Sequence, residues 1–243
     1  MRNAVFSRTR RAVLYIFMAL TSFASLADTQ PLPESTDELV TVVRQSWIRE
    51  PDLAIRAGKK ALTLLEAAPA PDAHALLAGY LPRVYIDRGQ LDVAQSVLDS
   101  YFNLPSPSSN LNDHARVLSN QGIIHKVTGN YLLAESTYLK AAQIYQTLGK
   151  SAALGNIYNN LARVSQSQNM PGEALAYYEK AIPLLIESNQ PANLANLYSN
   201  IAEVNSEMGN ARSAERFLRK AEILVNEAQE PRKRAEFLMK KAY

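Results

Sequence analysis

Five alanines set forty residues apart, Ala54, Ala94, Ala134, Ala174 and Ala214, are the feature that most restricts what this chain can fold into. Alanine is common here, at 34 of 243 residues. Even so, a column of five in any one of the possible registers has a chance of only about 0.2%. Two more columns keep the same step. One reads Gly58, Leu98, Tyr138, Tyr178 and Leu218, and the other Ala61, Tyr101, Ala141, Ala181 and Ala221. Residues three and four apart share one face of a helix. Within GEALAYYEKAIPLLIE (172–187), Ala174, Tyr178 and Ala181 therefore form a stripe of small, large and small side chains that lets another helix come close. The pattern is clearest in the third to fifth copies and degenerate in the first two.

The punctuation fits helix pairs. Ser35-Thr36-Asp37-Glu38 has the capping-box spacing, so a first helix is predicted from there to about Arg49. Further first helices are predicted near 72–88, 112–127, 152–168 and 192–208. Second helices are predicted near 52–67, 91–103, 131–147, 172–188 and 211–228. Turn chemistry separates the pairs at APAPD (68–72), PSPSSN (105–110), Gly149-Lys150 and Asn189-Gln190-Pro191. Within pairs the turns hold Gly89, Gly129-Asn130, Asn169 and Gly209, residues that tolerate a positive φ. No alternating strand pattern of useful length occurs. The expected fold is all-α, a right-handed α-solenoid of about five helix–turn–helix repeats, forming one domain over 35–243 after a linker at 28–34. Each pair has too little core to fold alone and has to stack on its neighbours.

NQGIIHKVTGNYLLAESTYLKAA (120–142), NNLARVSQSQNMPGEALAYYEKAI (159–182) and SNIAEVNSEMGNARSAERFLRKAE (199–222) resemble the tetratricopeptide repeat family, with a small residue in the first helix and an A-x-x-x-(Phe/Tyr)-x-x-A stripe in the second. Gly122, Ala162 and Ala202 are those small residues, each twelve before its alanine partner. The forty-residue period is longer than the family's common one and implies extended helices. Pro82 falls in the small-residue column of the second copy, so either that helix bends or the copy begins late. PRKRAEFLMKKAY continues the register through Leu238 and Ala242. It reads as a capping helix with Lys240 and Lys241 outward, or as the start of a further repeat.

Residues 1–27 read as an export signal: four arginines in MRNAVFSRTRR, an apolar run AVLYIFMALTSFA, and Ser25-Leu26-Ala27 as the cleavage site. The competing reading, a membrane anchor, has too few uncharged positions to span a bilayer. Cleavage after Ala27 takes four of 26 basic residues and none of 23 acidic ones, leaving 22 against 23. A near-neutral mature chain gives no electrostatic footprint for nucleic acid. No membrane span is expected in the mature chain, and its oligomeric state is not legible in the sequence. The absence of cysteine excludes disulfides, thiol nucleophiles and thiolate metal sites. Seventeen asparagines form no N-x-Ser/Thr sequon, which fits a bacterial exported protein and a periplasmic location.

Chemistry-bearing motifs are sparse. His74, His114 and His125 lack the i, i+4 spacing of a helical metal site, and no phosphate-cradling glycine loop occurs. Neither catalysis nor a cofactor is expected. One feature recurs once per repeat: Asn120, Asn160 and Asn200, two residues before each small position. The resemblance implies that the first helices line a concave groove holding a protein or peptide segment. A side-chain amide offers a donor and an acceptor together, which suits an extended backbone. The same asparagines could instead bond neighbouring helices and hold the stack. Arg83, Arg116, Lys126, Asn159 and Arg163 share those helices and would favour an acidic or C-terminal carboxylate group. Tyr80, Tyr158 and Tyr198 could present rings to a ligand or pack between repeats. An alternative implied by the resemblance is the extracytoplasmic sensory input region of a histidine kinase or diguanylate cyclase.

Overall fold

The computed structural model describes residues 31–106 and 108–228, which contain ten α-helices and no strand. The expected export signal and the expected capping segment after Pro231 lie outside the described residues. The chain divides into two compact units, Met1–Leu104 and Pro105–Tyr243, and the division falls at the PSPSSN punctuation.

In the first unit, α1 (Thr36–Ser46), α2 (Pro51–Ala67), α3 (Pro71–Asp87) and α4 (Leu91–Phe102) form two helix pairs. Ser35 caps α1, its hydroxyl accepting from the Glu38 N–H at 3.3 Å. In the second unit, three pairs follow: α5 (Leu111–Val127) with α6 (Tyr131–Thr147), α7 (Ser151–Ser167) with α8 (Pro171–Glu187), and α9 (Pro191–Glu207) with α10 (Ala211–Ala228). Pro51, Pro71, Pro171 and Pro191 each open a helix one residue earlier than the sequence pattern places it. Proline suits the first helical position because its missing N–H would have no intrahelical partner there. α1 ends at Ser46, three residues short of the expected Arg49, ahead of the Glu50-Pro51 step that opens α2. The residue before a proline is biased away from helical backbone.

The three columns are the core. Ala54, Ala94, Ala134 and Ala174 are 0% exposed and Ala214 is 7% exposed. Tyr138 and Tyr178 are fully buried between them. Gly122 makes room for this packing, since a Cβ there would stand 2.6 Å from the Tyr138 ring. In the degenerate first copy, Gly58 occupies the large-residue column and the buried Leu81 of α3 lies against it. Pro82 is buried inside α3, which runs from Pro71 to Asp87, so the second copy does not begin late. Positive φ occurs at Gly89, Gly129, Asn169 and Gly209 within pairs, and at Gly149 and Asn189 between them.

In the second unit two apolar clusters run into each other, because Tyr158 and Tyr177 pack against both. Successive pairs are thus stacked through one continuous core. α5 lies against α7 and α7 against α9, whereas no contact of that extent joins α6 to α8 or α8 to α10. The layer whose helices approach one another more closely is the inner one. We take the first helices, the closer-set layer, as the concave wall of this unit.

Candidate interaction face of the second unit

Burial along each first helix shows which side faces out from the stack. On α7, Leu154, Ile157, Leu161, Ala162 and Val164 are buried, while Asn156, Asn159, Asn160, Arg163 and Gln166 are partly or fully exposed. On α9, Asn196, Glu203 and Glu207 are exposed at the matching positions. On α5 the same positions hold Arg116, Ile123 and Val127, the last 51% exposed. Helical spacing sets these residues on one stripe per helix, and the forty-residue step aligns the stripes across three helices.

The asparagine column lies at the edge of this face. Asn120 and Asn200 are buried, at 5% and 8% exposure, and Asn160 is partly exposed. The Asn200 side-chain N–H donates to the Asn159 carbonyl oxygen at 3.0 Å, across the seam between α9 and α7. Two turns further along, the Gln166 amide donates to Glu207 Oε1, also at 3.0 Å. Both bonds join residues 41 apart, so they are two rungs of one ladder between successive first helices. Asn156, Asn160 and Asn196 have no hydrogen-bond partner among the described residues. Arg116 was named from the sequence for its charge, whereas Asn156 and Asn196, at its position in the next two repeats, were not. Their signal was a forty-residue recurrence of one amide, but only burial tells an outward column from a seam column.

The charged residues behave differently from one another. Arg116 is tied to Asp113, Nη1 donating to Oδ1 at 2.8 Å, and Asp113 is itself buried at the first turn of α5. Asn110 caps that turn, its side-chain oxygen accepting from the Asn112 and Asp113 N–H groups. Lys126 is half-buried near the end of α5. Arg163 is exposed and forms no ion pair among the described residues. Arg83 lies in the first unit, where its Nε donates to Asp87 Oδ1 at 2.9 Å. The other seven residues predicted from sequence lie together on the first helices of the second unit.

Beneath the face, Tyr178 reaches in from α8. Burial pushes its phenol far above the usual range, Arg163 draws it down, and Glu203 and Glu207 push it further up. The Tyr178 ring belongs to the buried apolar cluster that joins Ala162 of α7 to Leu197 and Ile201 of α9. Its oxygen is buried with no hydrogen-bond partner among the described residues. Burial also lowers the His114 and His125 pKa values. Of the two readings of Tyr80, Tyr158 and Tyr198, ring packing is the one the structure displays: Tyr80 lies on Trp47, Tyr158 on Tyr177 and Tyr198 on Phe217, with centroids 5.7–6.3 Å apart. Lys180 and Lys220 lie over the last two pairs. Among the described residues, no group of three or more His, Asp or Glu is placed to hold a metal ion, and no helix is long and apolar enough to cross a membrane.

Residues 113–187 match a family model described as tetratricopeptide repeat. No curated protein matches the chain in sequence. Three solved structures are similar in fold. Aspartyl phosphate phosphatase F from Bacillus subtilis is 20% identical with a TM-score of 0.65, covering 84% of this chain and 53% of its own. The chain thus spans about half the length of that phosphatase. PilF from Pseudomonas aeruginosa is 22% identical with a TM-score of 0.56, covering 86% of this chain and 91% of its own. A MamA protein is 20% identical with a TM-score of 0.51, covering 79% and 93%. At these identities the likeness is one of fold.

Proposed function

This chain carries tetratricopeptide repeats of an extended, forty-residue period, and from that premise we propose that it is an exported, non-catalytic scaffold. Its second unit holds an extended segment of a partner protein across α5, α7 and α9. The observation that carries this reading is the set of amides on the concave wall. Asn156, Asn160 and Asn196 face outward without partners among the described residues, while their neighbours Asn159, Asn200 and Gln166 bond between helices. An amide that is not taken up by the stack can bridge the C=O and N–H of an extended chain. The helices that carry these amides are held by the buried core and by the Asn200–Asn159 and Gln166–Glu207 bonds, so binding has side chains to order and not backbone.

Export rests on the first 27 residues: a basic start, a short apolar run and small residues at the boundary. N-terminal sequencing of the protein from the exported fraction should begin at Asp28. A chain that retains Met1 overturns export.

The binding reading is tested with a photo-crosslinking side chain at position 163, on the inner face, and at position 179, on an outer helix surface. A partner protein should crosslink from position 163 and not from 179, and Asn156→Ala with Asn160→Ala and Asn196→Ala should abolish that product while leaving the melting curve in place. Equal crosslinking from both positions sinks it.

A further inference from the structure

The charges on the concave wall of the second unit are few and ordered. Arg163 is the only charged residue of α7, and Glu203 and Glu207 are the only charged residues of α9. The second helices, by contrast, mix both signs freely, as in α10 with Arg212, Glu215, Arg216, Arg219, Lys220 and Glu222. Arg163 and Glu203 occupy the same position of successive repeats, and both are exposed. Even so, Arg163 closes no ion pair among the described residues, and neither does Glu203. Elsewhere in the chain, exposed arginines do find carboxylates, as Arg83 finds Asp87 and Arg88 finds Asp52. On α5 the matching position is the apolar Ile123, with exposed Val127 one turn on and the cations Arg116 and Lys126 beside them.

We infer that the segment held here has a segregated pattern: an apolar residue over α5, an acidic residue over Arg163 on α7, and a basic residue over Glu203 and Glu207 on α9. This rests on the binding reading above and adds the chemistry of the partner. Neighbouring helix axes lie about 8–10 Å apart, and an extended segment in the polyproline II form advances about 3.1 Å per residue with three residues per turn, so every third side chain returns to the same face. The three side chains are therefore spaced about three residues apart. A segment with the acidic and basic residues exchanged would set like charges against Arg163 and Glu203, which costs affinity rather than merely failing to add it.

The test uses two fluorescein-labelled synthetic peptides of identical composition, with Leu, Glu and Lys at three-residue steps among Gly, Ser and Ala, the second having Glu and Lys exchanged. Each is made in both chain directions and titrated into the full chain by anisotropy. One direction of the first peptide should bind at least about tenfold tighter than either direction of the exchanged isomer, and Arg163→Glu with Glu203→Arg should invert that order. Both positions are exposed, so circular dichroism is expected to be unchanged. Should the double variant not fold, Arg163→Gln and Glu203→Gln, each weakening the first peptide alone, make the same point. Equal binding of the isomers overturns the inference, as does binding of neither. Equal binding that Asn156→Ala, Asn160→Ala and Asn196→Ala abolish leaves the binding reading standing, and crosslinking from position 163 judges that reading separately.

Discussion

The Asn200 side chain donates a hydrogen bond to the Asn159 carbonyl oxygen at 3.0 Å, tying α9 to α7 across the concave wall. Asn200 is buried and Asn159 half-buried, so breaking the bond leaves an amide oxygen poorly served. Asn200→Ala should cost about 1–2 kcal/mol of stability, and a double-mutant cycle with Asn159→Ala should show coupling of about 1 kcal/mol, read from urea unfolding. Asn160→Ala, which breaks no bond among the described residues, should change stability by less than about 0.5 kcal/mol. Equal costs at 160 and 200 would contradict the seam assignment.

Tyr178 carries a buried hydroxyl with no partner among the described residues. Removing that oxygen removes a desolvation cost and breaks no bond. Tyr178→Phe should therefore leave stability unchanged or raise it by up to about 1 kcal/mol, measured by thermal melting. A loss of more than about 1 kcal/mol would mean that the hydroxyl is bonded.

Gly122 stands where two later repeats have Ala162 and Ala202, and alanine is the better helix former by about 1 kcal/mol. A Cβ at 122 would lie 2.6–2.9 Å from three atoms of the Tyr138 ring, which is fully buried and cannot swing away. Gly122→Ala should thus destabilise the second unit by about 1–2 kcal/mol despite its helix propensity. Combining it with Tyr138→Leu should recover part of the loss.

His114 and His125 both lie on α5, and burial lowers both pKa values from the ordinary 6.5. The unfolded chain takes up protons near 6.5, whereas the folded chain does so only at lower pH. Stability is therefore full above 6.5 and falls as pH drops below it. The melting temperature should decrease between about pH 7.5 and about pH 5.5, and His114→Gln with His125→Gln should flatten that decrease. A melting temperature that rises on acidification would contradict the direction.

Much of the fold is legible in the residues themselves. The alanine column, the pairing of helices and the positive-φ turns all follow from local rules, because a helix start, a stripe and a glycine turn each involve residues a few positions apart. Helix ends agree with the sequence pattern to within a residue except at α1, where the Glu50-Pro51 step intervenes. Tyr101 in a small-residue slot and Gly58 in a large-residue slot are less legible. Their neighbours come from distant helices, as Leu81 does for Gly58.

The candidate site divides along the same line. Composition and period alone determined that amides recur once per repeat on the first helices, that Arg163 and Glu203 are equivalent positions of successive repeats, and that no cysteine chemistry is open to this chain. Only the tertiary structure decided that Asn120 and Asn200 are buried, the latter at the seam between α9 and α7, that Asn156 and Asn196 stand on the open face, and that Arg83 belongs to the other unit. The reason is geometric. A repeat period states which residues are equivalent, but whether an equivalent position faces a groove or a neighbouring helix depends on the angle at which successive helices meet, and packing of the whole stack sets that angle.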